Sequence, residues 1–128
     1  MSQFVGIHHA SVIVQDTPRA LAFYVDVLGM ELEPGRRDLG FDGAWLRVGN
    51  DQQIHLLELP DPDAGRTRPP HAGRDRHTAL RVRGLDAIQA RLEQAGIGYT
   101  LSRSGRQALF CRDPDGNGIE LIEIAHSD

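Results

Sequence analysis

The sequence predicts an α+β fold built from two copies of a βαβββ unit. Three observations carry this reading. A strand that opens with histidine occurs twice, an amphipathic segment ending in glycine follows each copy at matched spacing, and each half closes on a strand introduced by a polar turn. The length of 128 residues suits one domain covering 1–128, with module one at about 4–60, a linker at about 61–75 and module two at about 76–125.

The first strands are His9-Ala10-Ser11-Val12-Ile13-Val14 and His77-Thr78-Ala79-Leu80-Arg81-Val82. Successive side chains on a strand alternate between faces. Ala10, Val12 and Val14 therefore share one face, as do Thr78, Leu80 and Val82, and each histidine lies on the other. A helix follows each strand. Thr17 suits the cap of the first and Pro18 its first turn. Leu21, Val25 and Leu28 then line one side, matched by Ile88, Leu92 and Ala95, and Gly29 and Gly96 end the two helices. The closing strands are Ile54-His55-Leu56-Leu57-Glu58-Leu59 and Ile119-Glu120-Leu121-Ile122-Glu123-Ile124. Turns at Gly49-Asn50-Asp51 and Asp113-Pro114-Asp115-Gly116-Asn117-Gly118 precede them. Before those turns stand Ala44-Trp45-Leu46-Arg47-Val48 and Ala108-Leu109-Phe110-Cys111, also strand-like. Pro60 to Arg76 holds four prolines and no apolar period, and reads as the connection between halves, either an exposed linker, a lid or a dimer contact.

Composition narrows the function. The apolar fraction of 40% allows a packed core, and a net charge of −4 with 14 scattered basic residues gives no footprint for nucleic acid or an acidic membrane surface. No apolar run approaches the roughly 20 residues that span a bilayer, and Met1 to Gly6 lacks the pattern of a secretory signal. Cys111 is the single cysteine, so no intrachain disulfide forms, which fits a cytoplasmic protein.

Of the six histidines, the repeat singles out three and adds one glutamate. His9 and His77 share one repeat position, and His55 and Glu120 share another. A lone strand histidine is usually a locally bonded polar residue. Four ligand-type residues at two symmetry-matched positions are a different matter. Three imidazoles and a carboxylate suit a divalent Zn, Ni, Co, Fe or Mn ion. His8 falls on the helix side by alternation, His71 in the exposed connection and His126 in the tail. Arg47, Arg103 and Arg106 are candidate anchors for an anionic substrate group, because a guanidinium grips a carboxylate or phosphate with two bonds. Trp45 and Tyr99 are candidate pocket walls.

His9 to Val14, followed by Leu21-Ala22-Phe23-Tyr24-Val25-Asp26-Val27-Leu28-Gly29-Met30, resembles the first module of the vicinal oxygen chelate superfamily. That superfamily comprises glyoxalases, bleomycin-resistance proteins and extradiol dioxygenases. The run Asp113-Pro114-Asp115-Gly116-Asn117-Gly118-Ile119-Glu120-Leu121 resembles its final turn and strand. The resemblance implies two βαβββ modules forming a cupped mixed sheet with helices outside, around one divalent metal ion per site that binds vicinal oxygens of a small substrate. It implies His9, His55, His77 and Glu120 as metal ligands, with Glu120 as the catalytic base or as a ligand only. It also implies a homodimer, with sites built within one chain or across two.

Histidine at position 55 departs from the glutamate usual in glyoxalase I and the glutamine usual in methylmalonyl-CoA epimerases. Glu120 is left as the one carboxylate among the four. The resemblance thus implies a glyoxalase-like lyase or isomerase. The alternatives are an extradiol-type dioxygenase, whose two histidines and one glutamate for Fe(II) this chain can supply, or a non-catalytic antibiotic-binding protein.

Overall fold

The computed structural model describes residues 1–124. Module one contains β1 (His9–Val14), α1 (Thr17–Leu21) continued by a π-helical turn (Ala22–Val27), β2 (Gly43–Val48) and β3 (Gln52–Glu58). A 3-10 turn (Ala72–Arg74) precedes module two, with β4 (His77–Val82), α2 (Leu85–Gln94), β5 (Thr100–Leu101), β6 (Ala108–Arg112) and β7 (Gly118–Glu123). The strands form two small mixed sheets, ordered β1-β3-β2 and β4-β7-β6-β5. In each, the first strand runs parallel to the last and the penultimate strand pairs antiparallel with it. At the outer edge, β5 pairs with β6, where module one has one bridge between Leu32 and Leu46. The class is the predicted α+β, and the register confirms the repeat: His55 lies opposite Trp45, and Glu120 opposite Phe110.

Alternation sorts the strands as expected. Val14, Ala44, Leu46, Ile54 and Leu56 turn toward the helices with Leu109, Cys111, Ile119 and Leu121, and join Phe23, Tyr24, Leu28, Ile88 and Leu92 in one core. Burying such side chains is worth about 1.5–3 kcal/mol each. The helices end at Gly29 and Gly96, at φ 86° and 71°, where a side chain would be strained. Glu58 and Glu123, at the same repeat position, cap the two helices: Thr17 N–H donates to Glu58 at 2.8 Å, and Leu85 N–H to Glu123 at 2.9 Å. Negative charge there also complements the helix dipole.

Three expectations need correction. Asp16, not Thr17, is the side-chain cap of α1 and accepts from Arg19 N–H. The helix does not remain α-helical: Leu28 N–H reaches back five residues to Phe23 O at 2.9 Å. That wider turn buries Ala20, Tyr24 and Leu28, at spacing four, and leaves Leu21 and Val25 half-buried. Ala95 caps α2 as an exposed residue.

The modules are joined by a polar knot. Asp113, 4% exposed, accepts from Tyr24 O–H at 2.7 Å, the Asn117 amide at 2.9 Å and the backbone N–H groups of Asp115 and Asn117. Asn117 also donates to Ile13 O at the end of β1. The proline-rich connection is tied down too. Arg76 bonds Asp63, Arg68 bonds Asp75, and Arg112 bonds both Asp75 and Pro69 O.

Candidate functional site

His9, Gln53, His55 and Trp45 share the sheet face of module one that no helix covers. The His9 and His55 rings stack at 3.9 Å and 10°, and Trp45 stacks on the other side of His55 at 4.7 Å and 14°. His55 is only 9% exposed, and its Nε2 lies 2.7 Å from Gln53 Oε1. Burial first, then the charges of His9, His8 and Arg36, hold its pKa below the ordinary imidazole value. The ring is therefore neutral at pH 7, the form that offers a lone pair to an ion. His8 precedes β1, so strand alternation does not govern it. Contrary to the helix-side expectation it is exposed, with Nδ1 2.8 Å from His9 Nδ1.

Module two places His77, Glu120 and Phe110 on the equivalent face. His77 Nδ1 lies 2.8 Å from Asp75 O, and a carbonyl can only accept, so Nδ1 carries the proton. Nε2 then turns its lone pair toward Glu120 Oε1 at 3.2 Å. Two acceptors this close need a positive charge between or beside them, supplied either by a proton on Nε2 or by a cation. A ligand histidine held through its other nitrogen by a carbonyl is a usual metal-site arrangement. Glu120 is 3% exposed, and Arg106 Nη2 reaches its Oε2 at 3.2 Å. Phe110 presents its ring to both His77 at 5.3 Å and His71 at 4.8 Å, in edge-to-face geometry. His71 is half-buried rather than exposed, and bonds Thr100 Oγ1 at 2.6 Å.

The predicted residues thus gather as two pairs, His9 with His55 and His77 with Glu120. Among the described residues of one chain, no three His, Cys, Asp or Glu side chains come together in a group able to hold an ion. As a donor set the four fit a divalent cation: three imidazoles, two of them in defined neutral geometry, and one carboxylate. Of the candidate anchors, Arg106 joins Glu120. Arg47 is engaged by Glu33 at 2.6 Å and Glu31 at 3.7 Å, and Arg103 stands exposed between β5 and β6. Trp45 walls the module-one pair, whereas the Tyr99 hydroxyl is held by Gln89 and Glu93 of α2. His126 lies outside the described residues, and so does the final residue of module two at 125. Gln53 and Phe110 were missed. Period-two alternation from His55 points to the first, and the repeat register with Trp45 to the second.

Comparison with known proteins gives a consistent picture. The family model described as Glyoxalase/Bleomycin resistance protein/Dioxygenase superfamily matches residues 6–121. The chain is 35% identical to YwkD of Bacillus subtilis, over 92% of this chain and 96% of that protein. It is 32% identical to Glyoxylase I 4 of Arabidopsis thaliana, over 91% of this chain and 69% of that one. A crystal structure of a member of the same superfamily from Sphaerobacter thermophilus superposes with TM-score 0.69 at 29% identity, covering 96% of this chain and all of the other.

Proposed function

The chain belongs to the Glyoxalase/Bleomycin resistance protein/Dioxygenase superfamily, and within it we propose a divalent-metal-dependent lyase or isomerase of glyoxalase type, acting on a small anionic substrate with vicinal oxygens. The observation that carries the reading is the pair of complementary half-sites on the open sheet faces. Stacked neutral imidazoles stand on one, and an oriented imidazole beside a buried carboxylate on the other. Each half offers too few donors to close a site. Joining them calls for a homodimer in which His9 and His55 of one copy meet His77 and Glu120 of the other. Exposed apolar residues beside His9 support such an interface: Phe4 is 91% exposed and Val5 97%.

A divalent ion held by these four residues supplies Lewis acidity to the substrate oxygens. The protein's own groups do the rest. Asp75 O fixes the His77 tautomer. Glu120 takes a proton from the carbon beside the substrate oxygens, with Arg106 fixing the plane of its carboxylate. Neutral His55 stands where a second carboxylate base would otherwise stand, so proton removal rests on one carboxylate.

Metal analysis after loading with Ni, Co, Zn, Mn or Fe(II), combined with sedimentation, tests the proposal. The expected result is one ion per chain in a dimer, with turnover of a hemithioacetal of a 2-oxoaldehyde. No stoichiometric ion with any of the five metals overturns it. Oxygen uptake on a catechol by the Fe(II)-loaded protein transfers the assignment to ring cleavage.

A further inference from the structure

We propose that Arg36 is the anion anchor of this site: its guanidinium, on the open face of module one near Trp45 and His55, receives a carboxylate or phosphate group of the substrate. The inference rests on reading that face as the substrate site. The sequence marks Arg47, Arg103 and Arg106 as anchors and passes over Arg36, which sits in the irregular stretch before β2.

Four observations support the assignment. Gly43 begins β2 in phase with Trp45, and a Cβ at Gly43 would stand 3.2 Å from Arg36 Nη2. The absence of a side chain at 43 therefore leaves room for the guanidinium on the Trp45 side. Arg36 Nη2 donates to Phe41 O at 2.8 Å, and the guanidinium lies 5.2 Å over the Phe41 ring, which fix its plane. Its Nε is buried with no hydrogen-bond partner. No carboxylate among the described residues pairs with it, whereas Arg47, Arg68, Arg76, Arg106 and Arg112 each hold at least one. The lowered pKa of His55, to which Arg36 contributes, places this charge within electrostatic reach of the candidate ligand.

A guanidinium positioned by one neutral carbonyl and one ring keeps its full charge and most of its donors for a guest. Carboxylate and phosphate both present the paired oxygens that match its fork. A loop tether alone would require the bond to Phe41 O and no anion.

Trp45 is the single tryptophan, so its fluorescence reports on this face. Chelator-treated, metal-free protein is titrated at constant ionic strength with inorganic phosphate and, separately, with acetate, against chloride as reference. Saturable quenching or enhancement is expected with at least one anion. Arg36→Gln should weaken it by about tenfold or more with the circular dichroism spectrum unchanged. The tighter of the two anions names the substrate's charged group. No saturable signal in the wild type, or equal affinity in the variant, overturns the assignment. If Arg36→Gln does not fold, Arg36→Lys decides by the same criterion, since one ammonium cannot make the paired bonds. Because no metal is present, Arg36-dependent anion binding by a protein that takes up no ion would sink the metal reading and leave the anchor standing. Stoichiometric metal without anion binding would do the reverse.

Discussion

In module one the residue opposite Trp45 in the register is His55, stacked between two rings. In module two the residue opposite Phe110 is Glu120, held between an imidazole and a guanidinium. The helix-facing sides of the same strands differ far less: Leu46 and Cys111 are equivalent and both buried, and Glu58 and Glu123 cap the two helices alike. Packing constrains one face of each sheet to a single solution, because volume changes in a core are felt at once. The open faces carry no such constraint and have diverged into a neutral half and a charged half. Duplication supplied the positions, and divergence supplied the chemistry.

The comparison can be broken or sharpened at four points. The largest effect concerns Cys111, on the packed side. Burial, with Asp113 nearby, pushes its thiol to about 12 from the ordinary 9.0. Below pH 9 the reactive thiolate is therefore about a thousandfold scarcer than in a free thiol. Iodoacetamide should alkylate native protein at least that much more slowly than urea-unfolded protein, and comparable rates would show that this face is open. Next, Glu120→Ala removes the one carboxylate of the donor set. Metal affinity, measured calorimetrically, should fall by about 100-fold or more, with activity lost in parallel. Tyr24→Phe leaves Asp113 one donor short inside the inter-module knot and should cost about 1–3 kcal/mol in urea denaturation, with metal affinity unchanged. The smallest effect is expected for His55→Ala, about tenfold in metal affinity with the fold intact. Unchanged stoichiometry and affinity would remove His55 from the donor set.

The periodic parts of the molecule were legible in the sequence. Strand alternation, the glycine stops and the positions of His9, His55, His77 and Glu120 follow from local rules applied twice. What escaped was set by contacts distant in sequence. Glu58 caps a helix 41 residues away, which no local capping rule finds. His71 looks like a loop residue until Thr100 and Phe110 close around it. Arg36 has no period to reveal it, because its place depends on a glycine in the next strand. Tyr99 was misread as a pocket wall because its aromatic ring was visible in sequence and its partners on α2 were not.

The π-helical turn at Ala22–Val27 has a consequence for length variation. Such a turn holds one residue more than an α-helical path between the same ends. Removing a single residue there would let the segment relax into regular α-helix, while rotating everything beyond the deletion by about 100° about the axis. Tyr24 would turn away from Asp113, and the tie between the halves would be lost. This stretch is therefore intolerant of indels even though it is a helix end on the outside of the fold. The surplus residue is what sets the angle at which one half grips the other.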